Sequence, residues 1–173
     1  DGRSPDREFF RGARRSWLSA RNRPSIKEIQ SGIEFYRTDW LPGRGTLIPT
    51  SVFGKVGIFD ANLFPQYFAD ADFSMRAVKA GFNLIVAAAA VVLSEVEKTG
   101  MGSQFKQNVS MLEFLRSLWS IRSAKHLGKR WRFAFRHCPK LYLLPYIVMD
   151  TLLIVTSRIR KRNGMFSLHK DVT

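Results

Sequence analysis

Cysteine is nearly absent. The single thiol, Cys138, excludes a disulfide within the chain and any zinc site that needs two thiolates. Histidine is scarce too: His126, His137 and His169 all lie in the last third, too scattered for a His-rich metal site. Acidic residues are the third shortage, with 14 Asp plus Glu against 28 Lys plus Arg in 173 residues. Residues 1–25 are Arg-rich and polar and lack the apolar stretch of a signal peptide. No internal repeat or low-complexity tract is present, and no Asp-x-Asp pair occurs upstream of residue 30.

Hydrophobic residues make up 45% of the chain, enough for a real core and against global disorder. The length suits one domain with an appendage. The net charge of +14 is unevenly spread. Residues 101–173 hold 14 basic residues against three acidic ones, Glu113, Asp150 and Asp171. The first hundred residues hold 14 basic against 11 acidic. A one-sided charge of this kind points to a polyanionic surface, either membrane headgroups or nucleic acid.

Around Phe9, Phe10 and Trp17 the first 25 residues read as a helix or a loosely held arm ending by Pro24. Ile33, Phe35 and Arg37 alternate against Glu34 and Tyr36, which predicts a strand. Pro42 with Gly43 forces a turn, and Gly45 permits a left-handed backbone or a close approach. Thr46-Leu47-Ile48 reads as a short buried strand stopped by Pro49. Arg44 between two glycines suits a loop that meets a ligand; taken alone, such a feature is more often just a turn. A short helix follows from about residue 51, capped by Thr50 or Ser51 and ended by Gly57.

The clearest helix covers 70–81: Phe73, Ala77 and Ala80 share a face, and Gly81 gives the stop. Phe82–Val86 predicts a strand, with a second at Val91-Val92-Leu93. Residues 104–127 carry Phe105, Val109, Leu112, Leu115, Leu118 and Trp119 at helical spacing. A basic cluster follows, Lys129, Arg130, Arg132, Arg136 and Lys140, interleaved with Trp131, Phe133 and Phe135. The apolar run 141–157 sits at the lower limit for spanning a bilayer, which takes about 20 residues (range about 17–25). Asp150 in its middle costs on the order of 3 kcal/mol in lipid, and Pro145 adds a kink. The run therefore predicts an interfacial helix, or a helical hairpin dipping into one leaflet, flanked by basic residues, with a true span and an ordinary buried helix as the alternatives.

The segment with the most chemistry is Tyr67-Phe68-Ala69-Asp70-Ala71-Asp72-Phe73-Ser74-Met75-Arg76. Two carboxylates lie two residues apart where an aromatic loop enters a helix. Arg76 is one turn after Asp72 and is placed to pair with it. A helix N-terminus favours negative charge, and a carboxylate there can serve as a general base toward a hydroxyl. A helix terminus with an i,i+4 ion pair accounts for the same residues without chemistry.

Three stretches in order carry a resemblance. They are Trp40-Leu41-Pro42-Gly43-Arg44-Gly45-Thr46-Leu47-Ile48-Pro49, then Val52-Phe53-Gly54-Lys55-Val56-Gly57-Ile58-Phe59-Asp60, then Tyr67 to Gly81. Over about residues 33–95 the chain resembles the C-terminal half of the catalytic domain of family 2 glycosyltransferases, the GT-A type. The resemblance implies an α/β fold, part of a GT-A mixed sheet in residues 1–100, followed by basic amphipathic and apolar helices in 101–173. It implies an inverting transfer from a nucleotide-sugar donor to a cell-envelope glycan or lipid-linked acceptor. Asp70 would be the general base. Asp72 and Arg76 would shape the site, and Trp40, Gly43, Arg44 and Gly45 would lie near the donor sugar or acceptor. A divalent metal, Mg or Mn, is implied for the intact enzyme, with ligands outside this chain. Ala69 stands where the family usually has an acidic residue, and Ser94-Glu95 where it often has a histidine. The chain starts at Asp1 without a donor-binding half, so a processed or partial enzyme is expected. Location at the cytoplasmic face of the inner membrane, peripheral or partly inserted, is implied as well.

Two rivals stand beside this reading. One is a basic membrane- or nucleic-acid-binding module without catalysis, its aromatic residues stacking bases. The other is a remnant without activity. No nucleic-acid motif is present, and no nucleic-acid partner is expected.

Overall fold

A computed structural model describes residues 12–25, 32–92 and 110–162, with side chains described through Ser157. The chain is α/β, with two small sheets and five helices among the described residues. Both sheets are antiparallel pairs, and no parallel pairing occurs among the described residues, where a mixed sheet was expected.

The first sheet corrects the reading of residues 1–25. Strands β1 (Ala13–Ser16) and β2 (Arg21–Pro24) form a hairpin with Ala13 opposite Pro24 and Ser16 opposite Arg21. Residues 17–20 make the turn, with Ala20 at a φ of 53°. The Arg-rich strands stay largely exposed, so no apolar alternation marks them in the sequence. Trp17 anchors the hairpin by packing on Phe133 and Tyr146 at ring distances of 6.2 and 5.2 Å.

Strand β3 (Phe35–Arg37) pairs with β4 (Ile85–Ala87), Phe35 opposite Ala87. Phe35 is 60% exposed, so the expected apolar face looks outward. The strand expected over 82–86 begins only at Ile85, because 81–84 is the connection from the preceding helix. Thr46–Ile48 is not a strand: Leu47 is 96% exposed, and the Thr46 hydroxyl turns back to donate to the Pro42 carbonyl at 2.5 Å. Val91 and Val92 lie outside any strand, and Leu93 is outside the described residues.

Between β3 and β4 run α1 (Thr50–Val56) and α2 (Ala69–Lys79). No side chain caps α1; Pro49 holds the N-cap place, where its fixed φ suits the entry. Gly57 ends α1 at a φ of 76°, as the sequence predicts. One face of α2 packs Phe73 and Ala77 on Val52, Phe53 and Phe82. Its other face packs Ala71 and Met75 on Phe64 and Phe133. Two apolar faces make α2 the central element.

The C-terminal part holds α3 (Met111–Trp119), α4 (Leu127–His137) and α5 (Lys140–Arg162). The helix expected over 104–127 is shorter at its C-terminal end, and 104–109 lie outside the described residues. A capping box between Ser110 and Glu113 starts α3. α5 is one continuous helix, which removes the hairpin alternative for the apolar run. Pro145 lies on its exposed side.

Candidate active site at the start of α2

The loop 40–43 is laid along the N-terminal turns of α2 by two side chains one helical turn apart. Ser74 Oγ accepts the Leu41 N–H at 3.1 Å, and Asp70 Oδ2 accepts the Gly43 N–H at 3.2 Å. Asp70 Oδ1 accepts the Ala71 N–H at 2.9 Å. Phe68, the N-cap of α2, has a φ of 71°. A left-handed non-glycine costs about 1–2 kcal/mol. It is held there by ring contacts with Phe64 and Phe133 at 6.4 and 5.3 Å. That bend sets the entry of α2 and with it the position of Asp70.

Asp70 borders two cavities. One, of about 330 Å³, is largely apolar, with Leu41, Val52, Phe59, Phe73 and Leu84 in its walls. The other, of about 340 Å³, is more polar, with Arg15, Asn22, Trp40, Tyr67 and Arg130 around it. A half-buried carboxylate between a greasy and a polar cavity can accept a proton from a hydroxyl that enters either one.

The other predicted residues divide. Trp40 and Gly43 stand with Asp70, one at the polar cavity and the other at the apolar one. Arg44 and Gly45 line a neighbouring groove of about 420 Å³ and border neither cavity. Gly45 has a φ of 67°, and a Cβ there would sit 2.6 Å from Val92, so the sequence reading of a close backbone approach holds.

Asp72 and Arg76 border neither cavity. Asp72 has no solvent exposure. Its Oδ2 accepts from Arg76 Nε at 2.9 Å, and its Oδ1 faces His137 Nε2 at 2.8 Å and Arg136 Nε at 3.2 Å. Arg76 also donates to the Val56 carbonyl and, at 2.9 Å, to that of Ile58. Arg136 reaches Asp60 Oδ2 at 2.6 Å. This network bolts α2 to α4 and to the end of α1.

The electrostatics follow from burial. Burial alone would push the Asp72 carboxyl up, but the bonds from His137 and Arg76 and the charge of Arg136 outweigh it, holding it below its ordinary 3.8. Burial pushes His137 below 6.5 despite Asp72, so the ring is neutral at pH 7. Nε2–H then donates to Asp72, and Nδ1 is left a buried acceptor without a partner. His137 was invisible as a functional pair because it lies 65 residues from Asp72. The signal that finds it is the helical spacing of Lys129, Phe133 and His137, the buried face of α4.

A second buried pair joins α4 to α5. Arg130 grips Asp150 with both Nε, at 2.5 Å, and Nη2. Asp150 is fully buried against protein. The opposite side of α5 is apolar and open, with Leu141 and Leu144 80% and 72% exposed and Val148, Leu152 and Val155 continuing the stripe. By length and composition, Lys140–Ser157 is long and apolar enough to associate with or cross a membrane.

No protein-family model matches the chain, and no curated protein or solved structure matches it significantly. No three His, Cys, Asp or Glu groups converge as a metal site among the described residues. Asp72 is committed to Arg76, Arg136 and His137, and the divalent metal implied by the resemblance was expected to take its ligands outside this chain.

Proposed function

We propose that this chain is the acceptor-side part of a membrane-associated, inverting glycosyltransferase, with Asp70 as its general base. The observation that carries the reading is the place of Asp70. It is half-buried, at a helix N-terminus, and borders both cavities, while Asp72 is sealed away. In the reaction the acceptor oxygen bonds to the anomeric carbon as that carbon's bond to the donor's diphosphate breaks. The electron pair leaves with the diphosphate, and the acceptor proton passes to Asp70. The main-chain N–H groups of Gly43 and Ala71 fix the carboxylate so that its remaining lone pairs point to the acceptor. The Trp40 ring offers an apolar platform for a sugar at the same cavity. The three ordered sequence stretches and the open apolar stripe of α5 support the reading.

The acceptor is a lipid-linked or envelope glycan, met at the cytoplasmic face of the inner membrane. Asp150, costly in lipid, points into the protein, so α5 can lie in the interface with its leucines toward the acyl chains. The nucleic-acid alternative loses one of its stacking residues, since Phe133 has no exposure.

The test is sugar transfer from a panel of nucleotide-sugars to membrane acceptors by the native enzyme. Asp70→Asn should lower turnover about 10²–10⁴-fold. Unchanged turnover contradicts the assignment. The chain should also pellet with anionic vesicles at low salt, and Leu144→Glu with Leu152→Glu should release it. Equal pelleting of that variant contradicts the interfacial role of α5.

A further inference from the structure

Arg15 is a half-buried arginine at the polar cavity, and among the described residues no carboxylate pairs with its guanidinium. Its side chain packs between rings, with Cζ 5.1 Å from the Phe133 centroid, 5.7 Å from Tyr146 and 5.8 Å from Trp17. Among the described residues its side-chain hydrogen bond goes to a neutral amide, Asn22 Oδ1, at 3.0 Å. Its Nε is buried and has no partner among the described residues. Its main-chain N–H, not its guanidinium, is what Asp39 accepts. Arg130 lines the same cavity but is already neutralised by Asp150. Burial lowers the pKa of Arg15 from its ordinary value and the charge of Arg130 adds to this, while Tyr146 and Asp150 oppose it only in part.

A half-buried cation with an orphaned N–H is costly. Ring faces recover part of that cost, but they do not satisfy a donor. A guanidinium beside an open cavity matches an oxyanion, to which its terminal N–H groups donate charge-assisted hydrogen bonds. Asn22 and Arg130 stand at the same cavity. Asp70 borders it too, which argues against a carboxylate ligand bound close to that side and for a group held at the arginine end.

We infer that the cavity between Arg15 and Arg130 binds a phosphoryl group, the phosphate or diphosphate of the acceptor, so that the acceptor's sugar hydroxyl is presented to Asp70. This rests on the proposed role of Asp70 and adds the chemical class of the acceptor: a phosphorylated, lipid-linked glycan rather than a neutral one. The phosphoryl group anchors, and Arg15 is a binding residue that takes no proton.

The experiment is calorimetric titration of the full chain at fixed ionic strength with inorganic pyrophosphate and, separately, farnesyl diphosphate. Saturable binding is expected. Arg15→Met, which keeps the apolar stem among the three rings, should weaken it at least tenfold. Arg14→Met, on the exposed neighbour, should leave it unchanged. If Arg15→Met fails to fold by circular dichroism, Arg15→Lys keeps the charge but loses Nε and the fork, and should still weaken binding several-fold. Tighter binding of farnesyl diphosphate than pyrophosphate identifies the lipid-linked source; equal binding identifies a bare phosphoryl ligand. No saturable binding, or equal loss in the Arg14 and Arg15 variants, overturns the inference in favour of diffuse attraction to a basic protein. Asp70→Asn separates the two readings, since it should bind pyrophosphate at least as well as wild type while losing transfer. A variant set in which transfer depends on Asp70 but phosphate binding ignores Arg15 overturns the cavity alone.

Discussion

Two regions of the molecule treat the same residue type in opposite ways. Along the seam where α4 meets α2 and α5, Asp72 and Asp150 are sealed from water and gripped by arginines, and Asp72 also by His137. At the mouth of α2, two residues before Asp72, Asp70 touches two main-chain N–H groups and two cavities. The helical repeat causes the difference, since a step of two residues turns the side chain about 200° around α2. At the seam carboxylates hold the fold together, and at the mouth one is left bordering open cavities.

The comparison breaks most visibly at Asp72. Asp72→Ala leaves His137, Arg76 and Arg136 without their shared partner and should cost about 3–5 kcal/mol, read as a lower urea midpoint. A loss below about 1 kcal/mol would mean the seam does not depend on it. Asp150→Ala should cost less, about 2–3 kcal/mol, because Arg130 keeps the Ala124 carbonyl and some exposure. Asp70→Ala, at the mouth, should cost under about 1.5 kcal/mol, the size of an ordinary hydrogen bond.

The smallest effect is the response to pH. His137 and Asp72 both have folded values below their free ones, so the unfolded chain binds more protons as pH falls. Their stabilisation is complete above 6.5 and is lost on acidification. The loss should begin below 6.5 as unfolded His137 charges, and deepen below 3.8 as unfolded Asp72 protonates. Urea midpoints of His137→Gln, which keeps an N–H donor toward Asp72, should lack the first decline. A first decline as steep as in wild type would assign it to another group.

The mouth was legible in the sequence and the seam was half legible. Asp70, Gly57 and the body of α2 follow from turn residues and apolar period, which are local signals. The Asp72–Arg76 pair follows from i,i+4 spacing. The Asp72–His137 and Arg130–Asp150 contacts do not, because each joins elements distant in sequence. Asp150 read as a penalty in lipid becomes a buried ion pair once α4 is placed. The β1–β2 hairpin was missed because its strands are built of Arg, Asn and Ser and are ordered by Trp17 and backbone pairing rather than by a pattern. Leu47 misled in the other direction, an apolar residue on an exposed loop.

The claim that the mouth acts while the seam holds is tested most directly by Asp70→Asn, with turnover and urea stability measured on the same preparation. Turnover should fall at least about 100-fold, with stability within about 1.5 kcal/mol of wild type. Turnover that is unchanged, or that falls only as far as the folded fraction falls, would contradict it and return Asp70 to the role of a helix-terminal clamp on Gly43.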